Sequence, residues 1–462
     1  MALTENGAVS LDTTNDARLN LFFKTVRDIE VPQLEKLIEE SWVVDPLDTL
    51  KILINWRDCR GGKGDYAKFI DAMAYIASVN PAWIHANISV IPEYGRYLDI
   101  VKLWHRVDTD IRDKIMEHIV TVLKRDIENT SGSVSLLAKW IPSERKNRYF
   151  VKTLCRKIYG ASQSKYLKKL RTEYLTPLRN KINIVETHLC RKDYSSIQYS
   201  HVPSLAMKLY KKAFNKHDSD RFTEYLDNVK EGKEKINSNV YPHDLVRHYF
   251  ENNDICPVVE EQWKVIKKKI DETQAFNNSI SICDVSGSMD GTPMEVAIAL
   301  GILGKNKNRV ITFSEEPRIF YIPDGTLYSQ VKALRIMPWG YNTNFSKVME
   351  LVINIDEPID KIFVFSDMQF DEAFANNNTH FDVWKTIYKK KERQMPKIIF
   401  WNLRGNTSDF PVKSNENGVI MLSGYSPSLL TGIINGKDIN PLDVMLNIIR
   451  APRYDLIKSP DA

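Results

Sequence analysis

The segment Cys283-Asp284-Val285-Ser286-Gly287-Ser288-Met289 sets one carboxylate and two hydroxyls at alternate positions. Asp284 offers a hard anionic oxygen, and Ser286 and Ser288 offer neutral ones. Such a set suits Mg2+, which takes an octahedron of oxygens and keeps several waters; Mn2+ and Ca2+ accept the same donors. Two further segments extend it. Gly340-Tyr341-Asn342-Thr343-Asn344-Phe345 is a polar loop opening a helix and adds a third hydroxyl at Thr343, while the apolar run Phe363-Val364-Phe365-Ser366 ends in a second carboxylate, Asp367. Hydrolysis would also need a general base beside the metal. None of the three segments contains a histidine, and the nearest in sequence is His380, in a polar loop. A haloacid-type phosphatase would need an aspartate where Ser286 stands. The set therefore reads as a binding site and not as an enzyme.

The elements that must hold these residues follow the charged segment Glu260 to Glu272. Short runs rich in Ile, Val and Phe predict strands at Ser279 to Asp284, Arg309 to Phe313, Arg318 to Ile322, Lys361 to Ser366, Lys397 to Asn402 and Gly418 to Leu422. Amphipathic segments lie between them, around Met294 to Leu303, Leu327 to Leu334, Phe345 to Ile353 and Phe381 to Lys390; Ser428 to Ile434 and Asp443 to Ile449 follow the last strand. Alternating strands and helices argue for an α/β, doubly wound, mostly parallel sheet, with Arg318 to Ile322 as an antiparallel edge hairpin. In such a sheet ligands sit beyond the carboxyl ends of the strands, where Asp284 and Asp367 should emerge.

From about Asn15 to Lys269 the apolar spacing is helical, as in Leu34, Leu37, Ile38 and Trp42. Helices joined by short polar loops suggest a HEAT-like solenoid or irregular array without a clean repeat period. RGGKGD at 60–65 lacks the spacing of a phosphate-binding loop and reads as a turn. With 462 residues, at roughly 100–200 per domain, two domains are expected, 1–270 and 271–462.

Charge divides the two regions. The first 270 residues carry 44 basic and 36 acidic side chains, the remainder 20 and 23. Most of the excess lies in Lys139 to Lys192, with 15 Lys/Arg against Glu144, Glu173 and Glu186, interleaved with aromatics such as Tyr159 and Tyr166. Basic side chains release counterions from a polyanion and aromatics offer stacking faces, so Lys165, Lys168, Lys169 and Arg171 are candidate nucleic-acid contacts. The same spacing also describes a solvated amphipathic helix pair. The five cysteines are scattered with no CxxC pair and read as reduced thiols. No run approaches the 18 or so apolar residues of a spanning helix, and the N-terminus lacks a basic and apolar leader pattern. No membrane association and an intracellular, cytoplasmic location are the expectations.

DxSxS at a strand end, then a loop Thr, then a strand-end Asp, in this order, resembles the metal-ion-dependent adhesion site of von Willebrand factor A domains. That resemblance implies that Asp284, Ser286 and Ser288 touch the metal or stand one step from it, that Thr343 completes the set, and that Asp367 acts directly or through water. An acidic residue of a protein partner would then bind through the metal.

The strings LTENGAVS (3–10), RDCRGGKGDY (57–66), LLAKWIPSE (136–144), YSHVPSLAMKLY (199–210), ICDVSGSMDGTPMEVAIALG (282–301) and IIFWNLRGN (398–406) resemble the family named domain of unknown function 2828. Helical repeats followed by an A domain are similar to the TROVE proteins, whose Ro member binds small noncoding RNAs. This implies a ribonucleoprotein-like scaffold that takes a small structured RNA on its helical half. The alternative is a protein-interaction module that works through the metal site alone, without nucleic acid.

Overall fold

The computed structural model describes residues 2–130, 132–304, 308–313, 317–335, 344–371, 379–407, 409–432 and 439–460. Up to residue 273 the chain is helical apart from a short hairpin at its start, β1 (Ala2–Leu3) with β2 (Val9–Ser10), and from its loops. A six-stranded sheet follows: β3 (Ser279–Cys283), β4 (Arg309–Thr312), β5 (Arg318–Tyr321), β6 (Lys361–Ser366), β7 (Lys397–Asn402) and β8 (Val419–Ser423). Its spatial order is β5-β4-β3-β6-β7-β8, parallel except for β5, which pairs antiparallel at the edge. The helical region and the mostly parallel α/β sheet expected from the sequence are both present.

Strand order dictates where a ligand can sit. From β3 the chain crosses to β4 on one side and later returns to β6 on the other, so the loops leaving β3 and β6 diverge and open a crevice between them. Register aligns the ends of the strands: Cys283 pairs with Phe365, Phe365 with Trp401, and Trp401 with Leu422. Every residue of β3, β6 and β8 is buried, which is why β6 and β8 read as apolar runs; β3 alternates serine with isoleucine, and its serines are buried with hydrogen bonds to Phe276 O and Gly304 O. Helix Thr292–Leu303, which follows β3, is apolar on nearly all sides because the sheet and helix Pro242–Glu251 enclose it. Gly301 permits that approach, since a β-carbon there would lie 2.2 Å from Cys283 Sγ.

Contacts between the first residues and the sheet have no counterpart in the sequence reading. Gly7 pairs with Asp371 and Leu11 with Phe410. The first helix, Ala17–Lys24, is capped by Asp16 and fully buries Leu19, Leu21, Phe22 and Phe23. Its last carbonyls meet the ends of β7 and β8: Asn402 Nδ2 donates to Phe23 O (3.1 Å) and Ser423 Oγ to Phe22 O (2.9 Å). Lys63, in the turn at 60–65, is buried there as well, donating to Ser423 Oγ and Thr25 Oγ1 (both 2.7 Å) and to Phe22 O. Burial with no carboxylate in contact pushes its amine well below the ordinary lysine range. Buried apolar side chains run continuously from Ala8 to Ile457. Among the described residues no helix is long and apolar enough to cross a membrane.

Residues near 453 fold back onto the helical region. Asp58 is fully buried and accepts from Arg453 Nη2 (2.7 Å) and Nε, from Tyr454 Oη (3.1 Å) and from the amides of Arg60 and Gly61. These bonds hold its carboxyl below the usual range against the opposing effect of burial. Asp58→Ala leaves Tyr454 Oη and the Arg60 and Gly61 amides without this acceptor, while Arg453 is partly exposed, and should cost about 1–3 kcal/mol in denaturant unfolding at neutral pH. A group with a depressed folded pKa contributes stability above its unfolded value, about 3.9, and loses it as pH falls through the lower folded value. The difference between wild type and variant should therefore close only in strong acid. A cost below about 1 kcal/mol at neutral pH would contradict this account.

Candidate metal centre

Asp284 leaves β3 with its amide still on the ladder, donating to Phe365 O at 3.0 Å. Its Oδ1 accepts from Ser286 N (3.0 Å) and its Oδ2 from Ser366 Oγ (2.6 Å), so the carboxylate is clamped between the DxSxS turn and the end of β6. Ser286 and Ser288 hydroxyls lie 3.0 Å apart. Ser286 is buried, whereas Gly287 and Ser288 are exposed, and through them the cluster meets solvent. Asp367 follows Ser366 directly, is buried, and accepts at Oδ1 from Gln369 N (3.1 Å). Met368 between them has φ +68°, a left-handed conformation that a residue with a side chain adopts only under constraint. That tight turn lets Ser366 Oγ take the Met368 amide (3.0 Å) while Asp367 takes the next one.

The electrostatics follow from the crowding. Burial, and next the charge of Asp367, push the Asp284 carboxyl up to about 7, and the hydrogen bonds from Ser366 and Ser286 offset this only in part. Among the described residues no Lys, Arg or His forms an ion pair with Asp284 or Asp367. Two buried carboxylates on neighbouring strand ends, with hydroxyls beside them, are a donor set that a hard divalent cation fits. Among the described residues no group of three or more His, Cys, Asp or Glu could hold a metal, so the set relies on two carboxylates and on hydroxyls.

Asp284, Ser286, Ser288 and Asp367 are thus drawn from distant segments to one sheet edge, while Thr343 lies outside the described residues. His380 is buried and held elsewhere, with Nε2 3.0 Å from Asp371 O and Nδ1 3.2 Å from Ser346 Oγ. Burial pushes the Cys283 thiol up to about 12, and its Sγ donates to Ala297 O, so it takes no part.

Sequence reasoning missed Gln369 and Asp409. Gln369 Nε2 donates to Asp409 Oδ1 (3.0 Å), Gln369 Oε1 accepts from Glu5 N (2.6 Å), and the Gln369 backbone N–H donates to Asp367, so one residue links Asp367, Asp409 and the first hairpin. The only signal was a polar residue just past a strand end.

Lys165, Lys168, Lys169 and Arg171 lie on the helical half, all exposed, on helix Ser164–Leu170 and at the start of the wider turn Arg171–Leu175. Pro177 lacks an amide proton and so cannot close the regular bond to Glu173, which accounts for a wide turn at this place. Tyr159 and Tyr166 stack with their centroids 5.6 Å apart, Lys169 Nζ lies 5.0 Å from the Tyr159 centroid and Lys165 Nζ 4.9 Å from that of Tyr166. Lys169 also pairs with Glu173 at 3.6 Å.

The family model of the domain of unknown function DUF2828 matches residues 4–110 and 103–276, and that of the domain of unknown function DUF7788 matches residues 278–446. Uncharacterized protein L728 of Acanthamoeba polyphaga mimivirus is 31% identical over 503 aligned positions, which cover 97% of this chain and 87% of the viral protein. Among solved structures, the crystal structure of the Deinococcus radiodurans Ro (RSR) protein is 14% identical and superposes with a TM-score of 0.39 over 91% of this chain and 90% of that one. A superposition of that quality carries no argument about function.

The raised pKa of Asp284 fixes a pH signature. Its ionised form destabilises the metal-free fold, a penalty absent below its unfolded value near 4 and complete above about 7. MgCl2 should therefore raise the thermal midpoint most above pH 7, and progressively less as protonation of Asp284 competes below it. Asp284→Ala should remove the Mg2+ response with an unchanged circular dichroism spectrum. A wild-type Mg2+ response in that variant would contradict the assignment.

Proposed function

The chain belongs to the DUF2828 family, and from the geometry of its sheet edge we propose that it is a non-catalytic binding scaffold with two sites. The first is a Mg2+-dependent site on a von Willebrand factor A-like domain, built from Asp284, Ser286, Ser288, Asp367 and Thr343. The observation that carries this reading is the buried Asp284–Asp367 pair, which has no ion-pair partner among the described residues. When bound, the cation would supply an electrophilic position for an acidic side chain of a protein partner. Asp284 and Asp367 neutralise part of its charge, Ser366 and Ser286 fix the Asp284 carboxylate, and exposed Gly287 and Ser288 leave room for the partner. A binding role is supported over hydrolysis because His380 is turned to Ser346 and Asp371.

The second site is a polyanion surface on the helical half, read as a TROVE-like repeat array that takes a small structured RNA. Lys165, Lys168 and Arg171 are exposed, and Arg156, on the preceding helix Arg148–Tyr159, is a further exposed cation. The second reading, a protein-interaction module without nucleic acid, is favoured by the contacts of Tyr159 and Tyr166, whose faces already hold each other and two lysines. All five cysteines are free thiols, in keeping with a reducing, cytoplasmic setting.

Salt separates the readings. With roughly six phosphate contacts, RNA affinity should fall about a thousandfold between about 50 and 200 mM salt and be lost when Lys165, Lys168, Lys169 and Arg171 are changed to Glu. Unchanged RNA affinity in that variant would eliminate the surface. A partner released by EDTA and indifferent to the charge reversal would favour the protein-only reading.

A further inference from the structure

The metal centre adjoins a cation delivered by the other half of the chain. Lys24, the last residue of the first helix, is 1% exposed. Its Nζ donates to Thr407 Oγ1 (2.8 Å) and to the Asp409 carbonyl (2.7 Å), and lies 4.7 Å from the Phe410 ring centroid. The Asp409 side chain is bound by Gln369 Nε2, and the Gln369 amide is bound by Asp367. A continuous set of contacts therefore runs from Lys24 through Asp409 and Gln369 to Asp367. Asp284, Asp367 and Asp409 are 0%, 1% and 4% exposed. The charges of Asp409 and Asp367 both act on the buried Lys24 ammonium, and the charge of Asp367 acts in turn on Asp284, so the ammonium and a bound dication would draw on the same carboxylates.

We infer that Lys24 is the resident counter-charge of the metal centre, weakening and setting its affinity for a divalent cation from across the contact between the two halves. The inference rests on the metal reading above. Its physical basis is like-charge repulsion in a site screened from water, where a fixed ammonium and an incoming dication compete for the same carboxylates. The charges of Asp409, Asp367 and Asp28 all favour the protonated amine, and burial opposes them, bringing Lys24 down to about 8. The amine is thus charged at neutral pH. Lys24 acts through Asp409 and Gln369 and is a positioning residue, not a metal ligand. The first hairpin joins the same set through Glu5 N on Gln369, so cation affinity and the seating of the first residues depend on one network.

Calorimetric titration of the full chain with MgCl2, paired with thermal melts with and without the metal, tests this. Lys24→Met keeps much of the apolar stem and removes the charge. It should tighten Mg2+ binding about tenfold and lower the metal-free midpoint more than the Mg2+-loaded one. Asp409→Asn should weaken binding by a similar factor, and the double variant Lys24→Met/Asp409→Asn should return close to the wild-type affinity. Asp409→Asn also serves where Lys24→Met does not fold. Wild-type affinity in the variants, with midpoints lowered equally in both conditions, would overturn the inference and leave the metal reading standing. Absence of Mg2+ binding in the wild type would overturn both.

Discussion

Two carboxylates buried on adjacent strand ends repel one another, and the local structure around them is arranged to tolerate that repulsion. Asp284 is clamped by Ser286 N and Ser366 Oγ, Asp367 by Gln369 N, and the left-handed Met368 makes both arrangements possible within one turn. Removing a carboxylate from water without a cation favours its protonated form, and burial, with the charge of Asp367, pushes Asp284 up to about 7. A divalent cation is the simplest species that would reverse the penalty with these donors. The strand order puts the pair at the switch point of the sheet, where diverging loops leave room for it.

The rest of the carboxyl edge is closed by the helical half, and the closure is polar. Asn402 and Ser423, at the ends of β7 and β8, donate to the carbonyls of Phe23 and Phe22 at a buried helix end, where Phe22 O also accepts from Thr25 Oγ1 and Lys63 Nζ. Lys63 and Lys24 enter the same interface with their amines bound to hydroxyls and carbonyls. Buried amines without a touching carboxylate contribute little net stability, but they tolerate few other geometries. The interface therefore constrains how the two halves meet, and beyond β3 it leaves Gly287 and Ser288 exposed while the end of β6 stays buried.

Much of this was legible in the sequence where a residue pattern has a local cause. The apolar runs from Lys361 and Lys397 become β6 and β7 with unchanged bounds, because strands buried on both faces need unbroken apolar sequence. The antiparallel edge expected at Arg318 to Ile322 is β5. Asp284 and Asp367 were expected just past strand ends and lie there, directly after β3 and β6. Lys24, Lys63, Asp58 and Asp409 were not, since their partners lie hundreds of positions away and a lysine in sequence reads as surface. The hairpin at Ala2–Ser10 was missed because strands of two residues leave no periodic pattern, and the bridges Gly7–Asp371 and Leu11–Phe410 that seat the segment are non-local.

The most direct test of the metal centre is diffraction from crystals of the full chain soaked in Mn2+, whose anomalous signal locates the ion without assuming its ligands. The account requires a single strong peak between the carboxylates of Asp284 and Asp367, within coordination distance of at least one of the Ser286 and Ser288 hydroxyls. A peak elsewhere, or none at this sheet edge at saturating Mn2+, would contradict it.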